Sequence, residues 1–154
     1  MRKKISLYVH LIWRTWDSLP LITQDIENRL YRSIHTEANK AGCTVLALNG
    51  DLDHVHLLVS LPTTITIATL MKQIKGVSSH FVNEVLAPAD YFKWQGGYGA
   101  FTVSRWDLDK ISNYIKGQKE HHQTDSLWQE LEEAVEFAKE QSGTKKSAMA
   151  ANRD

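Results

Sequence analysis

Residues 23–41 constrain the fold more than any other stretch. Ile26, Leu30, Ile34 and Ala38 recur at every fourth position, the spacing of one face of an α-helix. Thr23 supplies an N-cap and Gly42 a stop. The helix is flanked by runs suited to a sheet. Residues 5–13 mix apolar and β-branched side chains like a buried strand, and residues 43–49 read as a second strand. Asn49-Gly50-Asp51 is a turn signal, and residues 55–61, closed by Pro62, form a third strand that should pair with the second as an antiparallel hairpin. A second helix is expected over 66–85, with Ile67, Leu70, Ile74, Val77 and Phe81 on its apolar face and Pro88 ending it. Residues 91–104, rich in aromatics and glycine, read as a loop feeding a fourth strand. A third helix should run from Asp107 to about His121.

The order is therefore β-α-β-β-α-β followed by helices. It predicts an α+β domain of the ferredoxin-like, split β-α-β kind: a four-stranded antiparallel sheet with helices on one face, plus C-terminal helices. The other face of such a sheet is open to carry a site. The chain has 154 residues, 42% of them hydrophobic, which suits one domain, expected over residues 1–142. An acidic helix is expected over 125–140, and the small, polar segment 143–154 reads as a disordered tail. One cysteine, Cys43, excludes an internal disulfide framework and a cysteine-rich zinc module. No stretch has the length of a membrane span and the start does not read as a leader, so a cytoplasmic protein is expected. Net charge is zero, but unevenly spread: residues 1–124 carry +3, and residues 125–140 carry −5. The mildly basic body permits DNA binding without arguing for it.

Two local patterns bear on chemistry. In Asp53-His54-Val55-His56, a strand would turn both imidazoles to one side while Val55 and Leu57 face the core. Such a pair can converge on a divalent cation, although histidines so spaced also arise incidentally. In Asn113-Tyr114-Ile115-Lys116-Gly117-Gln118, a helix places Tyr114 and Gln118 on one face. Tyr114 could act as a nucleophile or simply pack between helix and sheet. With an ordinary phenol pKa near 10, forming the phenolate at pH 7 costs about 4 kcal/mol. A metal on the phosphate offsets that cost, and Gln118 could add a neutral oxygen ligand. Trp94, Tyr98 and Phe101 could stack unpaired bases or fill the core. Among scattered basic residues, Arg14, Lys75 and Arg105 are candidates for phosphate contacts.

Several segments together resemble one family. Residues 49–76, with His54-Val55-His56, look like the histidine–hydrophobic–histidine (HUH) segment of insertion-sequence single-tyrosine transposases, the TnpA family. So do Trp94-Gln95-Gly96-Gly97-Tyr98-Gly99-Ala100-Phe101, the run from Tyr114 to His122, and the opening His10-Leu11-Ile12-Trp13-Arg14-Thr15. The resemblance implies an enzyme that cuts and rejoins single-stranded DNA at mobile-element ends. Tyr114 would attack a phosphodiester, leaving a 5′-phosphotyrosine link and a free 3′-hydroxyl. His54, His56 and Gln118 would bind magnesium or manganese. DNA hairpins would be the targets, and a homodimer the working form, with the tyrosine helix able to serve either chain's histidines. A bacterial or archaeal, nucleoid-associated location follows from that role. The alternatives are a host-adopted nickase of repeated palindromes, a non-catalytic hairpin- or single-strand-binding module, and a structural or metal-binding ferredoxin-like protein.

Overall fold

The computed structural model describes residues 2–119. Within them the chain runs β1 (Tyr8–Arg14), α1 (Gln24–Lys40), β2 (Thr44–Asp51), β3 (His54–Ser60), α2 (Ile67–Phe81), β4 (Gly99–Val103) and α3 (Leu108–Lys116). The expected acidic helix over 125–140 and the tail 143–154 lie outside the described residues, and the third helix, expected from Asp107 to about His121, runs only Leu108–Lys116 before Gly117 turns the chain.

The strands form one sheet in the order β2-β3-β1-β4, every neighbouring pair antiparallel. This is the order and orientation expected of the split β-α-β arrangement. Pairing begins at Tyr8, opposite Ser60 and Val103, so the strand starts later than the apolar pattern suggests and leaves Ile5 and Leu7 exposed. Val9, Leu11 and Trp13 of β1, with Val55, Leu57 and Val59 of β3, face the main core. Against them pack Ile26, Leu30, Ile34 and Ala38 of α1 and Leu70, Met71 and Ile74 of α2. The residues singled out by the four-residue spacing of α1 are all buried.

Local signals behaved unevenly. Thr23 holds the N-cap position of α1 without capping a backbone amide, and its hydroxyl instead donates to Asp25. Thr66 does cap α2, accepting from the Thr69 amide at 3.1 Å. Gly42, at φ 90°, turns the chain out of α1, a conformation other residues adopt only with strain. The turn expected at Asn49-Gly50-Asp51 falls instead at Leu52 and Asp53, because β2 continues through Asp51. Gly50 lies inside the strand, opposite Val55. A Cβ there would come 2.1 Å from the His54 carbonyl oxygen, so this glycine serves close backbone approach. In α2, Val77 is exposed, and the buried position one residue on is Ser78, whose hydroxyl accepts from Trp94 Nε1 at 3.0 Å. The helix gives way to a wide π-type turn over Val82–Leu86 before Pro88.

α1 and α2 share one face of the sheet, as expected. α3 lies on the other, where Tyr114 and Ile115 pack on Ala47 and Leu58. Among the described residues no helix is long and apolar enough to cross a membrane.

Candidate active site

Strand alternation builds the floor of the site. With Val9, Leu11 and Trp13 committed to the core, His10, Ile12 and Arg14 leave β1 on the opposite side. β3 does the same with His54, His56 and Leu58, and Ile12 pairs directly with His56. Three histidines from two central strands thereby meet beneath α3. All three are buried. The His54 and His56 rings lie 5.1 Å apart, nearly perpendicular at 79°, while His10 and His56 stack at 5.1 Å and 28°.

Each ring of the His-x-His pair is steered by a neighbour. His54 Nδ1 lies 2.8 Å from Asp53 Oδ1, and the other carboxylate oxygen accepts from Arg14 Nη2 at 2.7 Å. Burial pushes the Asp53 carboxyl up, but the His54 hydrogen bond and the Arg14 charge outweigh it, and the net pKa falls below the usual carboxylate value. A carboxylate can only accept, so Nδ1 of His54 carries the proton, and in the neutral ring Nε2 presents a lone pair. His56 Nδ1 lies 2.9 Å from His10 Nε2. Burial pushes His10 down to about 4, so it is neutral at pH 7 and can meet His56 through either tautomer. Where it accepts, His56 Nδ1 donates and its Nε2 likewise becomes a lone-pair donor.

α3 supplies the ceiling. Tyr114, only 4% exposed, stands with its ring 6.1 Å from that of His56 at 78°. One turn further, fully buried Gln118 brings Oε1 to 3.4 Å from His54 Nε2. Two ligand atoms bound to one ion at about 2.1 Å stand about 3.0–3.4 Å apart for right-angled to tetrahedral bonds. The His54–Gln118 separation therefore fits two donors to a common cation. Among the described residues no group of three or more His, Cys, Asp and Glu side chains is placed to hold a metal. A metal here would take its third protein donor from the Gln118 amide.

The structure thus brings Tyr114, His54, His56 and Gln118 together within one chain. The residues named for DNA contact lie elsewhere or have other work. Arg14 is buried, tied to Asp53 and, through Nε, to Ser18 at 3.1 Å. Lys75 donates to the Gln95 and Gly97 carbonyls at 2.6 and 2.9 Å, pinning the loop before β4. Arg105 is exposed, its guanidinium 4.1 Å from the ring centre of Trp106, which is 79% exposed. Trp94 belongs to the core, edge-on to Trp13 and Phe92, whereas Tyr98 and Phe101 keep exposed surface. Sequence reasoning missed His10 and Asp53. Both were within reach of it, since His10 shares the parity of Arg14 on β1 and Asp53 directly precedes His54.

Paired histidines on the sheet thus lie beneath a helix-borne tyrosine, one turn from an amide. The family model for IS200-like transposases matches residues 3–118, and the chain belongs to that family, whose members are DNA-cleaving, strand-transferring enzymes. Among solved structures, a candidate transposase of Deinococcus radiodurans R1 is similar at 25% identity and a TM-score of 0.60, covering 77% of this chain and 95% of its own. A REP-associated tyrosine transposase bound to a REP hairpin shares the fold at 15% identity and a TM-score of 0.58, covering 79% of this chain and 73% of its own. No curated protein matches the chain.

Proposed function

We propose that this transposase cleaves and rejoins single-stranded DNA at mobile-element ends, with Tyr114 as the nucleophile. The observation that carries the reading is the placement of Tyr114 beside His56 while Gln118, just past the end of the same helix, faces His54. The Tyr114 phenolic oxygen forms a bond to the scissile phosphorus, and the bond to the 3′-oxygen breaks. The phenol's proton is released and the departing 3′-oxygen ends as a hydroxyl, leaving a 5′-phosphotyrosine link. A 3′-hydroxyl, from the same or another strand, reverses the step to rejoin DNA. The bond energy is kept in the link, so no nucleotide hydrolysis is needed.

His54, His56 and Gln118 would hold a magnesium or manganese ion, and two imidazoles favour manganese more than an all-oxygen set would. When bound, such an ion neutralises phosphate charge and orients the scissile bond. Asp53 and His10 orient the two imidazoles. Hairpin DNA, the ligand of the REP-associated structure, is the substrate class we assign. A homodimer is the working form we expect, each chain carrying its own complete set of donors.

The test incubates the chain with labelled single-stranded hairpin DNA and manganese or magnesium. A covalent protein–DNA adduct is expected, absent in Tyr114→Phe and greatly reduced in His54→Ala. An adduct that survives Tyr114→Phe would remove Tyr114 from the mechanism. DNA binding with no adduct across varied hairpins would favour a non-catalytic module.

A further inference from the structure

The C-terminal end of α3 is tied to the sheet around the Asn49 side chain. Asn49 of β2 pairs with His56, so it leaves the sheet on the face that α3 covers. Its Nδ2 donates to the Lys116 carbonyl at 2.8 Å, and its Oδ1 accepts from Lys119 Nζ at 2.8 Å. Lys119 donates in addition to the Gly50 carbonyl at 3.3 Å, pairs with Glu27 of α1, and stands 5.8 Å from the Tyr31 ring centre. The chain leaving α3 is thus bound to β2 and α1 together.

Two features make this more than a surface contact. Lys116 sits midway between Tyr114 and Gln118, and its carbonyl is among the last-turn oxygens a helix cannot satisfy internally. The apolar seat of α3 is small, with Tyr114 and Ile115 buried on Ala47 and Leu58 and Leu108 and Ile111 half-buried beside them. A stretch of nine helical residues falls short of the ~12–15 at which isolated helices become even marginal, so docking contacts decide where it sits. The amide is also chemically specified. Only with Nδ2 toward the carbonyl and Oδ1 toward the ammonium do both bonds form.

We infer that Asn49 is a positioning residue: it clamps the last turn of α3 so that Tyr114 and Gln118 stay aimed at His54 and His56. The inference deepens the proposed function and rests on it for its catalytic consequence. Asn49→Asp tests it with almost no change in shape. The carboxylate keeps Lys119 but cannot donate to the Lys116 carbonyl, and it sets a negative charge at a helix C-terminus.

In Asn49→Asp, amide exchange at Ile115–Lys119 should quicken tenfold or more, while β1 and β3 amides exchange as in wild type. DNA cleavage should fall about tenfold in kcat with KM for the hairpin within twofold. Glu27→Gln, which weakens the Lys119 ion pair and leaves Asn49 in place, should give the same pattern in milder form and serves if Asn49→Asp fails to fold. Unchanged α3 exchange in both variants overturns the clamp. Faster exchange with unchanged kcat overturns its positioning role. A wild-type chain that forms no adduct overturns the proposed chemistry instead, and the exchange arm still decides the clamp.

Discussion

Replacing Asp53 with asparagine tests the orientation of His54 and separates it from stability. The carboxylate accepts from Arg14 at 2.7 Å and from His54 at 2.8 Å. Asparagine keeps one accepting oxygen and turns an NH2 toward the other donor. One charge-assisted bond, about 1.5–3 kcal/mol, is therefore lost. The Arg14 side chain is 6% exposed and keeps its charge with no anion beside it, while Asp53 is 30% exposed. Water at the Asp53 side holds the total below the ~3–5 kcal/mol of a broken, fully buried pair. Urea unfolding of the metal-free chain should therefore show a loss of about 2–3 kcal/mol. The second effect is on the ring. Without a carboxylate, His54 loses the preference that puts its proton on Nδ1, and comparable losses cost about 10–100-fold in metal affinity. Manganese binding, followed by calorimetry, should weaken by that factor. If unfolding shows the expected loss and manganese affinity stays within twofold, Asp53 serves Arg14 alone and the orienting argument is refuted.

Other expectations follow from single positions. Gly50→Ala should cost at least ~1–3 kcal/mol in urea unfolding and lower DNA cleavage, since its Cβ would meet the His54 carbonyl oxygen at 2.1 Å. Equal stability of that variant would show the hairpin to be more yielding than its geometry implies. Gly76→Ala, in the exposed middle of α2 with nothing within 4 Å, should raise stability by about 0.5–1 kcal/mol, and a loss would contradict the helix assignment there. Leu30→Ala, fully buried between α1 and the sheet, should cost about 2–5 kcal/mol by thermal or urea unfolding. Cys43 is buried and its thiol is pushed up by that burial, so a maleimide should react slowly with the native chain and rapidly in urea.

Period determined much of this protein from the sequence alone. Spacing of four along α1, apolar runs in the strands and the order of elements are local properties, and they led to the four-stranded antiparallel sheet that the structure has. Period two also put His54 and His56 on one face, and spacing of four put Gln118 beside Tyr114. What local patterns do not encode is which element lies across from which. The stacking of His10 on His56 depends on β1 pairing with β3. The grip of Asn49 on Lys116 depends on α3 returning across β2. In sequence Trp94 stayed open between base stacking and the core, and Lys75 was a candidate phosphate contact, because an aromatic or a lysine carries no mark of its partner. The fold spends one on the core and the other on two loop carbonyls. Likewise, the alternation of β3 reserved a second face of the sheet, but only the return path of the chain brought a tyrosine over it, because long-range contacts are set by how all the apolar faces are buried at once.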